Sequence, residues 1–129
     1  PCVGVVQNSS NINLSDINVY RTGAMALIAE KSKDISLDAF NITLKAGSDR
    51  MLSSSADATH FINCSGKVSM QNCKFESMLD DATNIHGTYM YVADIIEDNK
   101  IGVVFGHYQQ EGFDFGNVGD SLLFVKIGG

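Results

Sequence analysis

Long apolar runs, positive charge, proline and paired cysteine are all scarce in this sequence, and each shortage closes a class of explanation. No stretch approaches the roughly 20 apolar residues of a membrane span, and no basic-then-apolar leader opens the chain. No membrane insertion is therefore expected. Lysine and arginine number 9 against 15 acidic residues, a formal net charge of −6. Nucleic acid and anionic membrane both need clustered Lys and Arg, so this balance argues against either as a partner. It suits a neutral ligand such as a sugar. The cysteines, Cys2, Cys64 and Cys73, are odd in number and irregular in spacing. They form no disulfide framework and no C-x-x-C metal knuckle. Buried free thiols are the plain reading, with a Cys64–Cys73 bridge left open. The sequence also lacks G-x-S-x-G, a P-loop and G-x-G-x-x-G, which leaves acyl and phosphoryl transfer unsupported.

What is present is a repeat. The 129 residues, 44% of them apolar, suffice for one core, and the first ninety are rich in short runs that alternate apolar and polar. Ile12-Asn13-Leu14 leads to Ile17-Asn18-Val19, Ile35-Ser36-Leu37 to Phe40-Asn41-Ile42, and Val68-Ser69-Met70 to Cys73-Lys74-Phe75. Each reads as two strands with one buried face, divided by a polar corner at Ser15-Asp16, Asp38-Ala39 or Gln71-Asn72. Ile12 and Ile35 lie 23 residues apart, and Ile35 and Val68 lie 33 apart. The surplus fits a Gly/Ser-rich insertion at 46–55. A period in this range means stacked repeats. With one proline and no helical period, the expectation is an all-β, right-handed parallel β-helix over residues 1–87. Residues 23–30 have helix-forming composition, yet their place in the repeat reads as strand.

Near residue 88 the pattern changes. Residues 88–92 and 101–105 read as longer strands around an acidic turn, so 88–129 is expected to be an antiparallel β extension, the start of a truncated β-barrel region. Residues 1–6 and 122–127 both read as strands cut short, as in a portion of a longer chain.

Chemistry is expected where the repeat carries acid. Asp57-Ala58-Thr59-His60 recurs 24 residues later as Asp81-Ala82-Thr83-Asn84, preceded by Asp80. Stacked repeats would set Asp57 and Asp81 about 4.8 Å apart. Asp80 and Asp81 face the same way only if a corner lies between them. Paired carboxylates are the working parts of glycoside hydrolysis, one donating a proton while the other activates water. The alternative is structural, since Asp at a corner also caps backbone N–H groups. His60 and Asn84 occupy equivalent positions suited to sugar hydroxyls, and His86 borders the same patch. Arg50, in the insertion, is a candidate to reach over it. No metal-ligand spacing such as H-E-x-x-H occurs, so neither a catalytic metal nor a cofactor is expected.

The run from Phe75 to Tyr89, centred on Asp80-Asp81-Ala82-Thr83-Asn84-Ile85-His86-Gly87, resembles glycoside hydrolase family 110, the α-1,3-galactosidases. The stretch Ala56-Asp57-Ala58-Thr59-His60-Phe61 with Cys64 and Gly66 is also similar, as are residues 109–115 with Gly119-Asp120. The resemblance implies a parallel β-helix with added barrel regions, and inverting removal of terminal α-1,3-linked galactose from glycans. It further implies a periplasmic or secreted parent protein several times longer than this chain. Carried over, Asp57 is the general acid and Asp80/Asp81 the base. An inverting site spaces its carboxylates roughly 6.5–9.5 Å apart, which favours Asp80 as the partner of Asp57. Exposed ends of the stack would invite self-association. Two other readings stand beside this one: a polygalacturonase-like hydrolase, which calls for basic residues near the site, and a non-catalytic sugar-binding or structural solenoid piece.

Overall fold

Residues that alternate sides in the sequence pair with their own counterparts one repeat later. A computed structural model describes residues 1–110, 112, 113, 115–126 and 128. These fall into two units, Pro1–Gly87 and Thr88–Gly129. In the first, β1 (Gly4–Gln7), β3 (Leu27–Glu30), β5 (Thr59–Ile62) and β8 (Thr83–His86) form one sheet in that order. A second sheet joins β2 (Ser10–Val19), β4 (Lys33–Ile42) and β6 (Ser65–Gln71), with β7 (Lys74–Phe75) also on β4. Every pairing in both sheets is parallel. The anchors picked out by periodicity meet in register, Ile12 against Ile35 and Ile35 against Val68. The chain is all-β, with parallel sheets and no α-helix among the described residues.

The corners stack as the strands do. Asp16, Ala39 and Asn72 all take left-handed backbone, with φ of 56°, 51° and 54°. One such residue bends β2 and β4 without ending them, so each is a single long strand where two were expected. A second set, Asn8, Lys31 and Asn63 at φ 48°, 46° and 50°, turns the chain from the first sheet towards the second. Asn and Asp tolerate this region because their short side chains bond locally. Between the two sheets lies the core. Leu27, Ala29 and Phe61 point inward from the first, and Ile35, Leu37, Phe40 and Ile42 from the second. Each large apolar side chain buried in full contributes about 1.5–3 kcal/mol. The buried Thr59 hydroxyl is satisfied by Thr83 Oγ1 at 2.9 Å and the Ala82 carbonyl at 3.2 Å.

Other expectations shift. The strand expected over 23–30 begins only at Leu27, after bends at residues 23, 24 and 26. The cysteines are free and half-buried rather than buried, which closes the question of a Cys64–Cys73 bridge.

In the second unit β9 (Met90–Glu97) and β10 (Lys100–Phe105) pair antiparallel across Asp98-Asn99, followed by a 3₁₀ turn at Tyr108–Gln110. Residues 122–126, expected as strand, form none. Their side chains are exposed, and no neighbouring ladder among the described residues takes up their backbone groups. Ile127, Glu111 and Asp114 lie outside the described residues, as does the side chain of Gln109.

Candidate active site

One backbone corner occurs three times before the strands of the first sheet. Thr22, Ser54 and Met78 are bridged in parallel, and five residues on Leu27, Thr59 and Thr83 are again in register. Between those fixed points the columns are Ala24, Ala56, Asp80 and Met25, Asp57, Asp81, followed by Ala26, Ala58, Ala82. The third column turns inward, with Ala26 and Ala58 wholly buried. The second stacks Asp57 on Asp81, held by the Ala58 N–H donating to the Asp81 carbonyl at 2.9 Å. The bend at residues 79 and 80 supplies the corner that strand alternation alone would not, so Asp80 joins the same patch. One carboxylate oxygen from each of Asp57, Asp80 and Asp81 lies within 4.8 Å of the others.

The three differ in setting. Asp57 is only 3% exposed, whereas Asp80 and Asp81 face solvent. Asp80 Oδ1 accepts the Asp81 N–H at 3.1 Å, which ties the exposed pair together. Nothing beyond the spacing selects a cation here, and the same gap suits a shared proton or a water.

His60 and His86 do something the sequence did not suggest. His60 Nδ1 lies 2.5 Å from Asp57 Oδ2, and His60 Nε2 lies 2.8 Å from His86 Nε2. His86 Nδ1 lies 3.0 Å from the Gly87 carbonyl oxygen. A carbonyl only accepts, so His86 Nδ1 must carry hydrogen. Both nitrogens of His60 are therefore engaged, and the ring, 9% exposed, is not free to meet sugar hydroxyls as expected. Register explains the contact. His60 pairs with Asn84 and Ile62 with His86, so the two histidines are diagonal neighbours on one face. The usable signal was their separation of 26 residues, one repeat plus two.

Asn84 is half-buried beside His60. Arg50 is exposed in the insertion, its N–H donating to Ser48 Oγ at 3.2 Å, and among the described residues it forms no ion pair with the three aspartates. In the second unit a cleft of about 790 Å³, lined by Tyr89, Tyr91, Val103, Leu123 and Phe124 among others, contains none of these residues. Among the described residues no helix is long and apolar enough to cross a membrane.

No protein-family model matches the chain. Curated relatives do. α-1,3-Galactosidase A of Shewanella woodyi is 44% identical over 119 residues, 92% of this chain and 20% of the relative. α-1,3-Galactosidase B of Parabacteroides distasonis is 39% identical over 127 residues, 97% of this chain and 21% of the relative. The B enzyme of Bacteroides fragilis is 38% identical over 128 residues, 98% and 22% respectively. This chain thus spans about one fifth of the length of the curated relatives it matches. The likeness read from the aspartate run holds along nearly the whole chain, which is homologous to a segment of the α-1,3-galactosidases.

Proposed function

We propose that this chain carries the acidic centre of an inverting α-1,3-galactosidase, set on the side of a right-handed parallel β-helix. One observation carries the reading: a single corner, repeated 24 residues on, gathers one oxygen each of Asp57, Asp80 and Asp81 within 4.8 Å. The relatives named α-1,3-galactosidase supply the substrate class, a glycan ending in α-1,3-linked galactose. The consecutive parallel registers support the helix, and the antiparallel β9–β10 pair supports residues 88–129 as the start of a barrel region.

Roles follow from surroundings. The acid must hold a proton until the glycosidic oxygen needs it. Asp57, buried and bonded through Oδ2 to the His60 imidazole alone, is the candidate for that. Asp80 and Asp81, open to solvent, are suited to orient water and take its proton. The sequence-based preference for Asp80 over Asp81 drops out, because both lie inside the same distance of Asp57. That distance is an upper limit for one oxygen of each residue. It falls below the roughly 6.5–9.5 Å typical of inverting pairs and lies nearer the roughly 5–5.5 Å of retaining ones, so the anomer released decides between them.

A polygalacturonase-like reading would need cations for uronate groups, and exposed Arg50 is a poor provision. In a purely structural reading the aspartates are corner caps whose loss lowers stability. We also propose a periplasmic or secreted parent, as the family resemblance implies. Covering of β8 by a further repeat or a second copy is part of the same reading. Ile85 is 58% exposed, whereas its inward-facing counterparts Ala29 and Phe61 are at 0%.

Substrate choice tests the proposal. The full-length protein should release galactose from an α-1,3-linked galactose disaccharide and leave polygalacturonate intact. Cleavage of polygalacturonate with no galactose release would replace this reading by the alternative.

A further inference from the structure

The repeat without carboxylates has its own character where it meets them. Met25 stands beside Asp57 in the column that Asp81 continues, and the Ala26 N–H donates to the Asp57 carbonyl at 3.3 Å. Stacked strands lie about 4.8 Å apart, so the Met25 and Asp57 backbones are immediate neighbours. Met25 is half-buried, yet it stands outside the apolar core and outside the half-buried residues packed on that core, among the described residues. Three residues on, Ile28 pairs with His60 on one side and with Val5 on the other. It lies between the core residues Leu27 and Ala29 in β3, so it faces outward. Ile28 is half-buried and Val5 is 55% exposed. In the two acid-bearing repeats the same outward column holds His60 and Asn84. The outer face therefore changes along the stack, from polar at the repeats of Asp81 and Asp57 to apolar at the repeats before them. Scattered apolar residues on a surface need no account, but these follow one another by chain and register beside the acidic corner.

We propose that Met25 and Ile28 seat the leaving sugar, the unit to which the terminal galactose is joined, and so make cleavage depend on what stands at that position. The proposal rests on Asp57 being the general acid. An acid that protonates the leaving group lies against the glycosidic oxygen, and the attacking group enters from the opposite side of the anomeric carbon. With Asp80 and Asp81 on the attacking side and Asp57 on the leaving side, that order runs along the stack. Asp81 comes first, Asp57 next, and the repeat of Met25 follows. The leaving sugar is thus carried past Asp57 and onto Met25 and Ile28. The same order holds whether water or a carboxylate attacks, because either enters opposite the bond that breaks. A pyranose ring carries its hydroxyls at the rim and C–H groups on its faces. A thioether side chain and a branched aliphatic one offer a C–H face an apolar surface, and burying that surface is what holds the ring there.

The test uses the full-length protein, with an α-1,3-linked galactose disaccharide as substrate and free galactose as inhibitor. Free galactose fills the place of the sugar that is removed and leaves the seat of the leaving sugar empty. Met25→Ala should lower kcat/KM for the disaccharide by about 10-fold or more, with inhibition by galactose unchanged. A kcat/KM equal to wild type would overturn the proposal. So would an equal weakening of galactose inhibition, which would put Met25 under the galactose ring and reverse the order of acid and base along the stack. Ile28→Ala, read in the same two ways, decides the matter if Met25→Ala does not fold. An active wild type whose variants are unaffected sinks this inference alone, whereas a wild type that releases no galactose sinks the functional reading and this inference with it.

Discussion

Asp57 and Asp81 are neighbours because their backbones are, with the Ala58 N–H donating to the Asp81 carbonyl at 2.9 Å. The same corner one repeat earlier holds Met25 in that column, and the Ala26 N–H donates to the Asp57 carbonyl at 3.3 Å. The frame is therefore indifferent to acid. Two repeats carry carboxylates at a corner that a third fills with the half-buried Met25.

The anomer first released reports on the mechanism. Water activated by Asp80 or Asp81 attacks from the face opposite the leaving group, so an α-linked substrate should yield β-galactose before mutarotation, seen by proton NMR. Release of α-galactose would mean direct attack by a carboxylate, as at retaining sites whose groups lie roughly 5–5.5 Å apart.

Gly66 is fixed by its surroundings. It has φ +68°, and an added Cβ would lie 2.2 Å from Asp34 Oδ1, the atom that accepts the Lys67 N–H at 3.0 Å. Gly66→Ala should therefore cost about 1–3 kcal/mol in thermal or urea unfolding. Gly23→Ala, with nothing within 4 Å of the new carbon, should stay within about 0.5 kcal/mol of wild type.

Ala39 offers the opposite case. It holds the corner of β4 at φ 51°, between Asp16 and Asn72 in the stack. Left-handed backbone costs a residue with a Cβ about 1–2 kcal/mol, and glycine returns about 0.5–1 kcal/mol of that as unfolded-state entropy. Ala39→Gly should be stabilising by up to about 1 kcal/mol, measured as an upward shift of the unfolding midpoint.

Much of this architecture could be read before any coordinates. Ile12, Ile35 and Val68 announce the repeat because a strand with one buried face must alternate, and stacked strands must reuse the same positions. Asp57 and Asp81 follow from the same period. The histidine chain did not, because a diagonal contact depends on side-chain direction across strands, and matching equivalent positions pairs His60 with Asn84 instead. Residues 122–126 misled for a different reason. Strand propensity there is high, but a strand also needs a ladder partner, which composition does not report. Arg50 sits in an insertion outside the repeat, where periodicity carries no information.

The central claim is that the stacked aspartates do chemistry rather than cap corners, and Asp57→Asn and Asp81→Asn in the full-length protein separate the two most directly. Galactose release and the unfolding midpoint should be measured on the same samples. Turnover should fall by about 100-fold or more with midpoints close to wild type. Undiminished turnover, or a loss of activity matched by unfolding, would contradict the claim.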